Sequence, residues 1–422
     1  MIKAKRENST SVLGLTSMHK RLLNFLNIYP FQFRLMFWGM LISTIGSSMI
    51  WPFLMIYIKA RLGLPLTTIA SLFTVSATAA LITAFIAGPI TDRFGRKWVL
   101  VISLAGNGLV YLLLSQANSL PAFIFLMALS GIINPLYRVG GDAMVADLIP
   151  PEQRPDAYAI LRLSNNLGIS LGPMVGGLLI TISYTTAFIF AAIGMVIYSF
   201  LLTIFAIETL PGKEHANASA REMLSGYSRI VRDRPFIWFC LVFTLVQMCA
   251  VLIWIIMPVY ANNFFHIPEN RYSLIPTTNA LMVVLFQVAV TRRAKQFQPL
   301  KVMISGAFLY AASVGLVALS GNLLGFWIVI VIMTVGELLL MPTSSTYVAN
   351  LAPMDMRGRY MSIYGLTWGL AQGVAPVLGG FLSDQFDPKA TWLGGLAIGL
   401  IAVLGFILLS RRNRVTDQSL IT

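Results

Sequence analysis

Charge is what this chain has least of. Asp, Glu, Lys and Arg make up only 11% of its 422 residues, and 57% are hydrophobic. A soluble domain carries about 25% charged residues. There is too little polar surface here to cover a water-facing exterior, which excludes an ordinary soluble protein. A lipid bilayer is the expected solvent, in keeping with a mean hydropathy of +0.77. Cysteine is nearly absent: Cys240 and Cys249 sit in one apolar run, too few for a disulfide framework or a CxxC metal site, and read as packing residues. His19, His215 and His266 are scattered over a tail and two loops. No nucleophile–base or metal-ligand cluster appears, so neither an enzyme nor a metal or cofactor is expected. A receptor or scaffold is disfavoured too, because no sizeable polar domain is present to carry such a role.

What charge exists is mostly positive, with a formal net of +14. In a soluble protein that balance would suggest nucleic acid. Here the basic residues fall in short clusters between apolar runs, the pattern that orients a membrane protein, and no nucleic-acid partner is expected. A spanning helix needs about 20 mostly apolar residues. Twelve such stretches are predicted, at 35–58, 67–90, 98–117, 121–147, 156–181, 184–207, 236–262, 273–291, 300–319, 323–350, 359–383 and 390–410. The eighth is interrupted by Pro276, Thr277, Thr278, Asn279 and Gln287. Twelve spans put both termini on one side. That side collects 25 of the 30 Lys and Arg residues, against four on the other, so both termini are expected in the cytoplasm of a multi-pass cell-membrane protein.

The two halves repeat. "ADLIPPEQR" (146–154) answers "ANLAPMDMR" (349–357), and the same offset of 203 residues carries Pro173 onto Pro376, Gly176 onto Gly379 and Gly177 onto Gly380. More loosely, Trp51-Pro52 matches Met257-Pro258. The prediction is an all-α membrane protein of two pseudo-symmetric six-helix bundles, 35–207 and 236–410. They are flanked by a cytoplasmic N-terminal segment (1–34), joined by a connector (208–235) and followed by a tail (411–422). Repeats of this kind usually place a substrate site near the midplane between lobes that rock against each other.

Two motifs carry more specific information. "GPITDRFGRK" (88–97) joins spans two and three, with Gly88, Asp92, Arg93, Gly95, Arg96 and Lys97 forming a compact charged hinge. It resembles the signature loop of the major facilitator superfamily, a resemblance the twelve-span repeat extends to the whole chain. In span five, Gly168, Gly172 and Gly176 recur every fourth residue, beside Pro173 and Gly177. Such a helix face allows close packing, and Pro173 favours a kink. The full string resembles the antiporter motif of the superfamily's drug:proton antiporters, which uptake symporters generally lack. That resemblance implies the major facilitator fold and no cofactor beyond a proton gradient. It also implies switching contacts: Asp92 against the start of span eleven near Gly358 in one conformation, and Arg96 against Asp147. One departure stands out. The family's basic residue early in span four falls on the apolar Leu126, so its proton-relay role does not pass to Arg138.

Few charges remain inside the spans. Glu337 is the only charged residue between Lys301 and Asp355, fourteen residues into span ten and close to the midplane. Arg138 lies about 14 Å into span four at 1.5 Å per residue. The repeat offset sets Glu337 opposite Asn134, one turn from Arg138, so Glu337 and Arg138 are expected to face each other across a cavity lined by spans one, four, seven and ten. Asp142 and Arg162 reach similar depths on spans four and five and are expected to bridge them, either as a structural network or as part of the site. Intramembrane ionisable groups are functional by default, and a carboxylate there can trade a proton for a cation. Further cavity candidates are Ser47, Trp51 and Tyr57 in span one, Asn165 and Asn166 in span five, Gln247 and Trp254 in span seven, and Trp368 and Gln372 in span eleven. The aromatics offer cation–π surfaces. The expected function is proton-coupled export of amphipathic or cationic small molecules by a monomer in the lipid bilayer. The alternative is a dedicated solute transporter of the same fold, a nutrient symporter or an exporter of one metabolite or lipid.

Overall fold

The computed structural model describes residues 29–210, 229–353 and 356–419, without the side chains of Pro155 and 412–419. Most of the expected N-terminal segment, the middle of the connector and the last residues of the tail lie outside them. Among the described residues there are twelve long helices and no strand. They are α1 (Phe31–Leu62), α2 (Leu66–Phe94), α3 (Arg96–Gln116), α4 (Leu120–Leu148), α5 (Arg154–Ile180), α6 (Tyr184–Phe205), α7 (Arg234–Phe265), α8 (Glu269–Ala294), α9 (Pro299–Val317), α10 (Leu323–Leu351), α11 (Arg357–Gln385) and α12 (Ala390–Ser419). Eleven are long and apolar enough to cross a membrane, and the protein is a multi-pass membrane protein. The exception is α11, which has the length, 29 residues, but interleaves its apolar residues with Ser362, Thr367 and Gln372. Helices suit this setting because they satisfy every backbone hydrogen bond within the segment.

The interruption in the eighth span leaves its helix intact for a local reason. A short turn, Glu269–Tyr272, precedes a helix that begins at Leu274. Pro276 therefore falls in the first turn, where an N–H has no intrahelical partner to lose. By contrast, α1 and α7 are broken where the sequence pairs them. In α1 a 3-10 turn covers Trp51–Phe53; in α7 a π-helical turn covers Leu252–Ile256, just before Met257-Pro258. In each case a proline without a backbone donor releases the local ladder.

The repeat is visible in the packing. In the first lobe α1 packs on α5 and α6, α2 on α4, and α3 on α4 and α6; in the second, α7 packs on α11 and α12, α8 on α10, and α9 on α10 and α12. Every pair has its counterpart six helices on. Between lobes the principal contacts are α2 with α11 and α5 with α8. Large side chains such as Ile102, Phe125, Phe200 and Leu285 point outward, an exterior suited to hydrocarbon rather than water.

Candidate functional site

The α2–α11 contact shows how the lobes meet. The end of the molecule holding the α2–α3, α4–α5 and α10–α11 connections is the basic end; the other is the far end. At the far end, Asp384 of α11 accepts from the Leu66 N–H (3.1 Å) and from the Thr67 N–H and hydroxyl (2.7 Å each). One level further in, the Thr74 hydroxyl donates to the Gly373 carbonyl. Next, Leu81 lies against Gly369. Partners thus step down α11 as they step up α2, an antiparallel register that would next set Asp92 against Gly358. There the contact has ended. A side chain added at Gly365, Gly358 or Gly88 would meet only open space, and Asp92 is 65% exposed. At the far end α5 and α8 also meet, through Thr277 to the Ser170 carbonyl (3.1 Å), and Tyr184 of α6 donates to Glu269 (2.6 Å). The continuous apolar core follows the same division. One cluster joins both lobes through Met49–Ile58, Leu66–Phe73 and α7, whereas Phe33, Leu104, Met144 and Tyr198 form a separate core at the basic end of the first lobe. The cleft is closed at the far end and splayed at the basic end. Trp51 and Trp254, from the two broken helices, lie 6.3 Å apart across it.

Glu337 is the fifteenth of the 29 residues of α10 and is half-buried. Its Oε2 accepts from the Asn279 amide of α8 at 2.8 Å. The same amide nitrogen donates to Thr334 Oγ1 at 2.9 Å, and the Thr334 hydroxyl donates to the Ile330 carbonyl at 2.6 Å. The cation acting on Glu337 is Arg162, which also acts on Tyr364 of α11.

This corrects two expectations. Among the described residues Arg138 forms no ion pair with Glu337, and α4, which carries it, packs on α2 and α3. The field of Arg138 acts instead on Asp142, one turn away on its own helix. Nor do Asp142 and Arg162 bridge: the ion pairs found among the described residues are Arg96 with Asp92 and with Asp147. Arg138 and Asp142 border a cavity of about 70 Å³ with Met36, Met40, Tyr137 and Tyr198.

The other candidates divide. Asn134, the offset image of Glu337, is exposed; it accepts from Asn107 (3.2 Å) and donates to Ser130 (3.2 Å). Asn165 accepts from the Thr44 hydroxyl (3.3 Å), and Ser47 donates back to the Thr44 carbonyl (3.1 Å). Asn166, Trp368 and Gln372 are half-buried on the helices that flank the cleft. Gln247 is buried and its Oε1 has no hydrogen-bond partner. Tyr57 is not a cavity residue. It lies within the first lobe among Phe123, Tyr184 and Phe188, and its hydroxyl donates to the Leu114 and Ser115 carbonyls.

The α2–α3 loop is held from within its own lobe. Arg96 contacts Asp92 (2.9 Å) and Asp147 (3.1 Å), the second as expected. Gly95 has φ +94°, a left-handed conformation that favours glycine. Glu208, just after α6, was missed by the sequence reading. It accepts from the Arg96 and Lys97 N–H groups at 2.8 and 3.2 Å, satisfying two orphan donors of α3 with an anion at the positive helix end. The Lys97 ammonium donates to the Thr203 carbonyl (2.8 Å), and Arg93 lies over the Phe94 ring.

The span-five glycines do two jobs. Gly168, Gly172 and Gly176 lie against Thr44, Ser48 and Met49 of α1. Gly177 instead faces the other lobe, where an added Cβ would meet Ser273 (2.9 Å) and the Glu269 carbonyl (3.0 Å) of α8. In the repeat, Gly379 lies against Leu252 and Ile256 of α7, while a Cβ on Gly380 would meet the Thr67 backbone at 2.8 Å across the cleft. Pro173 and Pro376 sit inside their helices at matched positions.

Two six-helix lobes repeated in sequence and packing, around a cleft sealed at one end and holding one mid-helix carboxylate, define a secondary transporter. The chain belongs to the Major Facilitator Superfamily, whose family model matches residues 36–268 and 239–420. It is 26% identical over 399 residues to a "Na(+), Li(+), K(+)/H(+) antiporter" of Planococcus maritimus, covering 86% of this chain and 91% of that protein. It is 26% identical over 344 residues to "Multidrug resistance protein MdtH" of Yersinia pestis, covering 79% and 83%. Among solved structures, a POT family transporter bound to a thioalcohol-conjugated peptide superimposes with a TM-score of 0.77 at 17% identity, covering 91% of this chain and 96% of that one. A bacterial homologue of the lysosomal transporter Spinster gives 0.75 at 12%, covering 90% and 96%. Both share the fold of this MFS transporter.

Proposed function

We propose that the protein is a proton-coupled antiporter that exports amphipathic or cationic small molecules across the cell membrane, with both termini in the cytoplasm. The observation that carries this reading is Glu337: a carboxylate at the middle of α10, clamped by Asn279 at 2.8 Å and within the field of Arg162 of the other lobe. A carboxylate in that position holds either a proton or a cation, since leaving it ionised and unpartnered away from water is costly. Release of one as the other arrives couples two fluxes with no further machinery. Trp51 and Trp254 give an aromatic roof suited to flat organic cations. Support also comes from the span-five glycine motif and from the two relatives, a monovalent cation/H(+) antiporter and a multidrug resistance protein, both compatible with cation export.

The second reading is a dedicated transporter, and the Planococcus relative makes an inorganic monovalent cation its most specific form. Both readings are tested in proteoliposomes under an imposed pH gradient, with ethidium or Na⁺ inside. Ethidium counterflow with proton uptake is expected, and its coupling is expected to be lost in Glu337→Gln. Na⁺ exchange without ethidium exchange selects the second reading, and inward co-transport of solute with protons selects a symporter. Unchanged proton coupling in Glu337→Gln removes Glu337 from the mechanism.

A further inference from the structure

We propose that Asn279 is a positioning residue for Glu337, fixing Oε2 as a permanent acceptor and leaving Oε1 alone to exchange the proton for the transported cation. The inference rests on the exchange role given to Glu337 above. Its basis is the polarity of a short hydrogen-bond chain. The Ile330 carbonyl can only accept, so the Thr334 hydroxyl must donate to it at 2.6 Å. With that proton committed, Thr334 Oγ1 can only accept from Asn279 at 2.9 Å. The atom of Asn279 facing Thr334 is therefore nitrogen, and the same nitrogen lies 2.8 Å from Glu337 Oε2. Turning the amide over would set its oxygen against two acceptors and break the Thr334–Ile330 bond. A backbone carbonyl thus dictates, through two side chains, which oxygen of the carboxylate is occupied.

The chain is built to persist through a transport cycle. Thr334 and Glu337 are one turn apart on α10, and Asn279 stands on α8, the helix packed beside it in the same lobe. Thr334 has no exposed surface and Asn279 only 6%, so water does not compete for the donors. Both amide bonds lie within the second lobe and are unaffected when the lobes move. Arg162 of α5 is the charged group whose field reaches Glu337, and Glu337, Tyr364 of α11 and Cys249 of α7 all act on Tyr310 of α9. None of them bonds Oε2. When Glu337 is protonated, Oε2 stays the carbonyl oxygen and the proton sits on Oε1. When the substrate cation arrives, it meets Oε1 and displaces that proton.

The test uses the full chain in proteoliposomes, with ethidium as the probe and an entrapped pH indicator reporting protons. Asn279→Ala removes the donor. Thr334→Val keeps Asn279 but frees the amide to turn, and it is the smaller perturbation should the alanine variant fail to fold. The pH at half-maximal exchange is expected to move by about one unit in Asn279→Ala and by less, in the same direction, in Thr334→Val. A merely structural clip would lower the maximal rate in both with the pH profile unmoved, and that result overturns the proposal. Glu337→Gln separates the two levels of failure. Uncoupling in Glu337→Gln together with an unmoved profile in Asn279→Ala sinks the positioning role alone. Retained coupling in Glu337→Gln sinks the exchange reading and this inference with it.

Discussion

The two ends of the α2–α11 pair carry the same device in opposite states. At the far end, an acid near the C-terminus of α11, Asp384, caps the first turn of α2 with three hydrogen bonds. At the basic end, an acid near the C-terminus of α2, Asp92, stands where the register would bring it to the first turn of α11, yet its ion pair among the described residues is with Arg96 of α3. Antiparallel helices make this reciprocity natural. Each end joins the negative terminus of one helix to the positive terminus of the other, and an acid on the former can cap the latter. The comparison teaches that one kind of contact would serve to close either end, in which case the balance between conformations would rest on a small difference between two similar latches.

The largest expected effect comes from removing the close approach itself. In Gly380→Val the new Cβ would meet the Thr67 backbone at 2.8 Å, and backbone has no rotamer with which to yield. Overpacking of this kind costs about 1–3 kcal/mol, a factor of about 5–150 between states. It falls only on the far-closed state, so the variant is expected to open at the far end while staying folded. Spin labels on the far ends of α2 and α11 should report a longer distance, and ethidium exchange should fall by about 5-fold or more. A lowered melting temperature with an unchanged distance would show that Gly380 serves packing and not closure. Asp384→Ala comes next. Losing the acceptor for the Leu66 and Thr67 donors costs about 1–2 kcal/mol at this partly exposed site, a factor of about 5–30 toward the far-open state, read from the same labels.

How much of this was legible beforehand differs from residue to residue. The spans followed from apolar run length, and their pairing in two lobes from the offset of 203 residues, because lipid leaves a chain few other ways to hide its backbone. The same offset misled at the site. It identifies which positions are equivalent, Glu337 with Asn134, but not which face each other, and the field on Glu337 comes from Arg162 of α5. Asn279, Glu208 and Asp384 were missed because their partners lie 58, 112 and 318 residues away, beyond any local pattern. Each left a trace all the same. Asn279 belongs to the polar interruption of the eighth span. Asp384 and Asp92 are acids at helix C-termini, where the macrodipole disfavours them; an unfavourable charge in a chain this poor in charge points to a partner elsewhere.

Asp92→Asn gives the smallest effect and the sharpest test of reciprocity. Asp92 is exposed and, among the described residues, pairs with Arg96 one turn away, an i,i+4 pair worth about 0.3–0.5 kcal/mol. Arg96 keeps its bond to Asp147 without it. In the state closed at the basic end, Asp92 would face the first turn of α11, where an anion contributes about 0.3–1 kcal/mol. Set against the Arg96 pair that the amide also weakens in the open state, the net shift is expected to be at most about threefold toward opening at the basic end, opposite in sign to Asp384→Ala. Combined, the two substitutions should partly cancel, leaving the label distances closer to those of the unmodified protein than in Asp384→Ala alone. A shift of Asp92→Asn in the same direction as Asp384→Ala would break the comparison, since two latches on opposite ends of one rocking pair cannot both favour the same state.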